Sequence, residues 1–295
     1  MLRESQPAAI ILVISVFATV AAWRYQASQN REVAEQRFSQ TAQRLKSEIS
    51  AAMTANGQAL RGGAALFDAA GRVTQREWQR YVTKLELPMT YPGIQGMAYA
   101  SVLRSPESRN EHERAVRATG LVDYAITPPG DRPFMVVVEF TGLLDPRFRR
   151  TVGFDQFTEP VRRQAIERAR DSGDLALSGK VILNRADPAG AGPAPGVVLF
   201  LPVYARDRPL DTPQDRQAAV EGVILSPFAV NDLVQSVLAR GARSDAGLTT
   251  LEIYDGVNLT SEARLYGPAE PPTGAHVPLR CSTCCDSQGL TLWAR

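Results

Sequence analysis

The sequence predicts an α+β protein, built from an apolar N-terminal helix, a long stalk helix, and strands flanked by further helices. Three observations predict this class. An uncharged apolar run covers residues 7–23, a proline-free helical pattern covers residues 32–60, and β-favouring segments dominate from residue 134 onward. The chain has 295 residues, 44% hydrophobic and 22% charged, which suits a packed core and roughly two domains.

The N-terminal run, PAAIILVISVFATVAAW, lies between Arg3 and Arg24. It is close to the roughly 20 residues that an apolar helix needs to cross a bilayer. The small residues at 18–22 leave a cleaved signal peptide open as an alternative. A second helical pattern follows directly, which favours an uncleaved anchor. We expect residues 1–24 to be a single membrane span in the inner (plasma) membrane, with the rest periplasmic or extracellular.

Residues 25–61 form the expected stalk helix. Apolar or small residues recur there at helical spacing, at Val33, Phe38, Ala42, Leu45, Ile49, Ala52 and Met53. The pair Gly62-Gly63 is expected to end the helix. A long helix leaving a membrane span is typical of a dimerising stalk, so we expect a homodimer through it. Packing of this helix on its own domain is the alternative.

Helices and strands alternate after the stalk. Thr74 and Glu77 form a capping box before an apolar face of Trp78, Tyr81, Val82 and Leu85, and Ser105 caps a helix that stops at Gly120. Strands are expected in the second half of residues 91–103 and at residues 134–140, 151–155, 175–183, 196–204 and 218–228, with a helix at 229–238. Further strand-like pieces follow residue 247.

Several function classes lose support on composition alone. The net charge is +2 without a long basic run, so we expect no nucleic-acid partner. The chain has two histidines, which leaves no Ser–His–carboxylate set, although carboxylate or lysine chemistry stays open. Cys281, Cys284 and Cys285 lack the second pair that a zinc site needs. We therefore expect no metal, no cofactor and no catalysis by this chain.

Four stretches carry a resemblance to a known family: YPGIQGMAYASVL, GFDQFTEPVRRQAIERARDSGDLALSGKVIL, GVVLFLPVY, and GVILSPFAVNDLV followed by LEIYDG. In this order and spacing, over about residues 38–256, the chain resembles the CHASE domain. That domain is the extracytoplasmic sensory domain of receptor histidine kinases, nucleotide cyclases and cyclic-diguanylate enzymes. The resemblance implies a long helix followed by two PAS-like antiparallel sheet units, here residues 62–228 (membrane-distal) and 229–295 (membrane-proximal, incomplete).

The resemblance also implies a small-molecule site in the membrane-distal unit, between its sheet and adjacent loops. Asp155 occupies the position that accepts hydrogen bonds from adenine-type hormones in plant cytokinin receptors. Leu177 matches a main-chain contact, and Val198 and Phe200 lie along a strand that lines the pocket. Tyr99 is a further aromatic candidate on the sheet. Plant receptors have a polar Thr where this chain has Leu199-Phe200, so the ligand's identity stays open.

Structural interpretations compete with the functional ones. Asp155 could simply cap a turn or helix, and Arg162, Arg163, Arg168 and Arg170 are expected to form a solvated helix face. The whole module could serve only for dimerisation, without binding a ligand. The family normally continues into a second membrane span and a kinase or cyclase module. Since neither precedes Arg295, we expect the sequence to be truncated before its output.

Overall fold

The structure is a computed structural model. It describes residues 5–91, 93–142, 151–183, 194–241, 251–256, 260–267, 277–281 and 290–294. In some of these segments, including residues 5–13, 277–281 and 290–294, only the backbone path is described. The described part is an α+β fold, as the sequence predicts, with two antiparallel sheets and flanking helices.

The helices in the described part are α1 (Ser5–Ala70), α2 (Gln75–Lys84), α3 (Leu87–Thr90), α4 (Pro106–Ala118), α5 (Pro160–Ser172), α6 (Pro213–Ala219) and α7 (Val230–Gly241). The capping box expected at Thr74 and the N-cap expected at Ser105 are confirmed at the starts of α2 and α4. Ser105 also forms a capping box with Ser108. The sequence reading missed α6. Its signal was present, because Thr212 and Asp215 form a third capping box there.

The strands are β1 (Ala98–Leu103), β2 (Met135–Thr141), β3 (Ala176–Leu177), β4 (Val181–Leu183), β5 (Ala194–Tyr204), β6 (Val220–Ala229), β7 (Leu251–Asp255), β8 (Arg264–Tyr266), β9 (Val277–Cys281) and β10 (Leu290–Ala294). The first sheet has the order β2-β1-β6-β5-β3, with β4 also paired to β5. The second has the order β8-β7-β10-β9. All pairings are antiparallel.

The first sheet separates two apolar layers, because successive side chains on a strand point to opposite faces. On β5, Leu199 and Leu201 face the layer that contains α1, α2 and α7, which we call the α1 layer. Val198 and Phe200 face the other layer, which contains α5 and which we call the α5 layer. A third cluster packs α4 against the ends of β1 and β2.

Helix α1 is 66 residues long and does not end at Gly62-Gly63, so the expected break there is wrong. Close packing explains both glycines. A Cβ on Gly63 would stand 3.0 Å from the Trp78 ring and 3.2 Å from Ile224, and a Cβ on Gly62 would stand 2.5 Å from the Tyr81 hydroxyl oxygen. The glycines let α2 and the sheet approach the helix, and tertiary contacts outweigh their low helix propensity.

The two ends of α1 have different surroundings. From Leu45 to Phe67 one stripe of the helix is buried in the α1 layer, and Ile49 and Leu60 are 1% and 0% exposed. The described side chains of residues 14–26 are all exposed, and Phe17 is 76% exposed. The C-terminal part of α1 therefore packs on its own domain, which was the alternative to the stalk interpretation.

None of the helices in the described part of the chain has both the length and the apolar character needed to cross a membrane.

Two expected strands are corrected by the structure. Residues 151–155 form a turn with isolated bridges, Thr127 to Phe154 and Val137 to Asp155, because Gly153 has a left-handed φ of 87° that a strand does not tolerate. The segment 175–183 is divided into β3 and β4. Between them, Ser178 Oγ accepts a hydrogen bond from Val198 N at 2.8 Å, so a side chain replaces part of the ladder.

The second sheet touches the first at this interruption. Asp255, the last residue of β7, accepts a hydrogen bond from Lys180 N at 2.7 Å, and Lys180 Nζ donates to Glu262 O at 2.6 Å. The sequence reading missed β9, which ends at Cys281. Cys284 and Cys285 lie outside the described residues.

Candidate functional site

Asp155 is fully buried, at 0% exposure, beside the start of β2. Its carboxylate has three donors. Oδ1 accepts from Val136 N at 2.9 Å and from Phe157 N at 3.0 Å, and Oδ2 accepts from Arg132 Nε at 2.9 Å. The bond to Phe157 caps the short 3₁₀ turn Gln156–Thr158. The capping role considered from the sequence is thus present, and the charge is compensated within the protein.

The neighbourhood of Asp155 is held by the backbone as well. Asp155 N donates to Thr127 O at 2.8 Å, and Thr158 Oγ1 donates to Asp155 O at 2.7 Å. Arg132 is fixed in turn, because its Nη2 donates to Pro128 O at 2.8 Å. Asp155 therefore joins the segment 127–136 to the segment 155–158. Its position leads through the 3₁₀ turn directly to the first turn of α5.

The structure brings Val198 and Phe200 together with α5 in the α5 layer, where Ala165, Ile166 and Ala169 pack against them. Both strand residues are buried, at 1% and 0% exposure. Asp155 borders the same layer, since the residue whose amide it binds, Val136, belongs to it. Asp155 thus lies beside the edge strand β2, whereas Val198 and Phe200 lie on β5, which β1 and β6 separate from β2; all three border the α5 layer.

Tyr99 and Leu177 point their side chains to the other side, into the α1 layer. The Tyr99 ring stacks on Phe67 of α1 at a centroid distance of 4.3 Å, and on Phe140 at 5.3 Å. Burial raises the pKa of Tyr99 above its ordinary value, with the nearby Glu139 carboxylate adding to the effect. Tyr99 is thus a core aromatic that links the sheet to α1, on the opposite face of the sheet from Val198 and Phe200.

Leu177 was singled out for its main chain, and its carbonyl oxygen does face α5. Arg168 Nη2 donates to Leu177 O at 2.7 Å. The next residue, Ser178, exchanges two hydrogen bonds of 2.8 Å with the main chain of Val198. The main-chain groups that follow Leu177 are therefore held between α5 and β5.

The arginines of α5 do not form a uniformly solvated face, so that expectation is wrong. The side chain of Arg162 is 18% exposed and that of Arg170 is 16% exposed, whereas Arg163 remains on the surface. Arg162 lies on the sheet-facing stripe because it precedes Ala165 and Ile166 by three and four positions. That spacing was visible in the sequence and could have identified Arg162.

Arg162 follows Asp155 by seven positions and lies in the first turn of α5. Its Nη1 donates to Gln156 Oε1 at 2.7 Å, and its guanidinium carbon lies 5.6 Å from the centre of the Phe154 ring. Burial lowers the pKa of Arg162, and the Glu159 carboxylate acts in the opposite direction. Glu159 itself caps α5, since its oxygens accept from Val161 N at 3.2 Å and Arg162 N at 2.9 Å.

The described residues contain an open groove and no cluster of metal ligands. Within the ranges that the structure describes, no three His, Cys, Asp or Glu side chains come together as a metal site would require. An open groove of about 640 Å³ runs along α1, lined by Gln43, Lys46, Ser47, Ser50, Ala51, Thr54 and Ala55. These residues belong to α1 and not to the α5 layer, so the groove is separate from Asp155.

Comparison with known proteins is consistent with this architecture. The "Probable histidine kinase 4" of Oryza sativa subsp. japonica is 33% identical over 127 residues, or 43% of this chain. The matched part spans 12% of that relative's length. The model of the CHASE domain matches residues 71–266, which is more than half of the chain and extends from the end of α1 to β8. The chain therefore belongs to the CHASE domain family of extracytoplasmic sensory domains.

Proposed function

We propose that this chain is a membrane-anchored sensor module that binds a small molecule in the α5 layer. One observation supports this location above all. Three candidate residues, Asp155, Val198 and Phe200, border the same layer, and a partly exposed arginine stands at its edge. A site of this kind combines apolar walls with a few convergent polar groups, as small-molecule sites generally do.

The proposed division of roles follows from the contacts. Val198 and Phe200 supply the apolar wall. Asp155 orders the 3₁₀ turn, and its carboxylate retains acceptor capacity beyond the three hydrogen bonds that it makes, because an ionised carboxylate offers about four acceptor positions. Leu177 offers its carbonyl group, now bound by Arg168, to a competing donor. A ligand would replace this bond and loosen α5 from β3.

The proposed output runs through α1. Tyr99 stacks on Phe67, so a shift of the sheet is transmitted to a helix whose N-terminal part exposes apolar side chains such as Phe17 and Trp23, 76% and 71% exposed. We propose that residues 7–23 anchor the chain in a membrane as a single span. We also propose that the part of α1 before Leu45 pairs with a second copy. A rigid helix with two positions is one way to pass such a signal.

A binding screen tests the function. The full chain in detergent micelles is titrated calorimetrically against a panel of small planar metabolites, and at least one compound is expected to bind saturably. Asp155→Asn keeps the shape but removes the charge, and we expect about tenfold weaker binding. Asp171→Asn is the matched control. It also removes a carboxylate paired to an arginine, 2.6 Å from Arg170 Nε, but at the other end of α5.

Equal affinities in the wild type and Asp155→Asn would remove Asp155 from the site. If no compound binds, the result favours the alternative of a dimerisation module. The three hydrogen bonds that the Asp155 carboxylate accepts inside the protein are the observation that favours that alternative.

A further inference from the structure

The guanidinium of Arg162 is underpaired for a buried charge. Its Nε has no hydrogen-bond partner within the part of the chain that the structure describes. The nearest carboxylate oxygen, Glu159 Oε2, is 3.9 Å from that nitrogen, beyond hydrogen-bond distance. Both oxygens of Glu159 are already taken by backbone amides. The side-chain oxygen that does accept a hydrogen bond from Arg162, Gln156 Oε1, is neutral.

Glu159 is therefore an ion-pair neighbour of Arg162 that makes no hydrogen bond to Nε. A buried charge that lacks a hydrogen-bonded partner of opposite sign is costly, and it is retained where it pairs with something else. Asp155 already holds Arg132 at Oδ2 and two backbone amides at Oδ1. The two acidic groups that precede Arg162 in sequence, Glu159 and Asp155, therefore both bind other donors. The Arg162 side chain is also 18% exposed, so a solute can reach part of the guanidinium from outside, although Nε itself is buried.

The layer behind Arg162 contains several alanines among its larger apolar side chains. Its buried members include Ala98, Ala100, Ala165, Ala169, Ala176 and Ala229. The α1 layer is filled mainly by Leu, Ile, Val, Met and aromatic side chains. Because alanine fills little volume, modest rearrangement of α5 over the sheet would admit a flat group. The ring of Phe154, 5.6 Å from the guanidinium carbon, offers one apolar face for such a group.

We propose that the ligand of the α5 layer is an anion, a small carboxylate or phosphate carried on a planar group, and that Arg162 binds its charged end. This inference rests on the function proposed above and names its ligand class. The guanidinium presents Nε and a terminal nitrogen as a fork that matches two anionic oxygens. Asp155 then borders the site without accepting the ligand's charge.

Three probes of one shape test the ligand class. Benzoate, phenyl phosphate and neutral benzamide are titrated into the full chain in detergent micelles at constant ionic strength, with thermal unfolding and calorimetry as readouts. We expect benzoate or phenyl phosphate to bind saturably, and benzamide to bind at least about tenfold more weakly, as loss of a charged hydrogen-bond pair predicts. The relative affinity of the two anions distinguishes a carboxylate site from a phosphate site.

Matched variants then locate the site. Arg162→Gln is expected to abolish the preference for anions. Arg163→Gln, one residue away and on the surface over Phe157, is expected to leave it unchanged. Arg162→Lys keeps the charge but loses the fork, so intermediate binding is expected. Circular dichroism identifies any variant that fails to fold, and the lysine variant then provides the comparison.

Two results overturn the proposal. One is equal binding of benzoate and benzamide; the other is anion binding that survives in folded Arg162→Gln. Either result leaves the sensor function intact if a neutral panel compound binds in an Asp155-dependent way. Failure of every anionic and neutral compound contradicts both proposals together.

Discussion

At the scale of single residues, long-range partners decide what a polar side chain does. Asp155 is recognisable in the sequence as a residue worth testing. Its partner Arg132 lies 23 positions earlier, and no local pattern connects the two. Arg162 shows the opposite case. Its place on the Ala165–Ile166–Ala169 stripe was readable from spacing, but the surrounding charges suggested a solvated face.

His112 is expected to make the stability of the protein depend on pH. Its Nε2 lies 2.9 Å from Tyr124 Oη, and burial lowers the pKa of His112 below the ordinary value of 6.5, opposed by the nearby carboxylates of Glu139 and Glu113. The folded state therefore binds fewer protons near this pH than the unfolded state. The contribution of His112 to stability is fully present above the unfolded pKa of 6.5. It is lost as the pH falls from there to the lower pKa of the folded state.

Chemical denaturation at about pH 7.5 and about pH 5.5 measures this contribution, since both values lie above the range in which ordinary carboxyl groups titrate. We expect the wild type to lose stability over this interval, and His112→Gln to lose less. An identical loss in both proteins would show that His112 does not carry the dependence. The other titratable groups around His112 and its partner Tyr124 are Glu113, Glu139 and Arg117.

At the scale of elements, caps and alternation were predictable, and interruptions were not. The caps at Thr74 and Ser105 are local signals, and β2 and β5 are continuous apolar runs, so these elements were found. The predicted helix end at Gly62 and Gly63 was wrong because these glycines allow close contact with Tyr81 and Trp78 within a continuous helix. Residues 151–155 look like a strand until the left-handed φ of Gly153 is known.

Substitutions in helix α1 are expected to affect stability differently at its two ends, because the helix belongs to the core along only part of its length. Leu60 is 0% exposed, and Leu60→Ala is expected to lower the free energy of unfolding by about 2–5 kcal/mol. Phe17→Ala on the same helix removes a side chain that is 76% exposed, and a change within about 0.5 kcal/mol is expected. Denaturant unfolding in micelles compares the two. Equal losses would mean that both ends of α1 belong to one folded unit.

At the scale of the whole molecule, the α5 layer is connected to the remaining parts by a few specific contacts. Tyr99 joins the sheet to α1 through Phe67, and Lys180, just after Ser178, joins it to β7 through Asp255. A family assignment could be made from sequence, because the motifs recur in order. The sequence alone could not show that the Asp155 carboxylate accepts three hydrogen bonds or that Arg162 Nε has no hydrogen-bond partner among the described residues.

Amide hydrogen exchange on the full chain, with and without a compound that binds in the calorimetric screen, tests the central claim most directly. The account predicts that the compound slows exchange in α5 (Pro160–Ser172) and β5 (Ala194–Tyr204), with a smaller change in α1 near Phe67. Protection confined to residues 43–55, along the open groove of α1, would contradict it, because the compound would then bind outside the α5 layer.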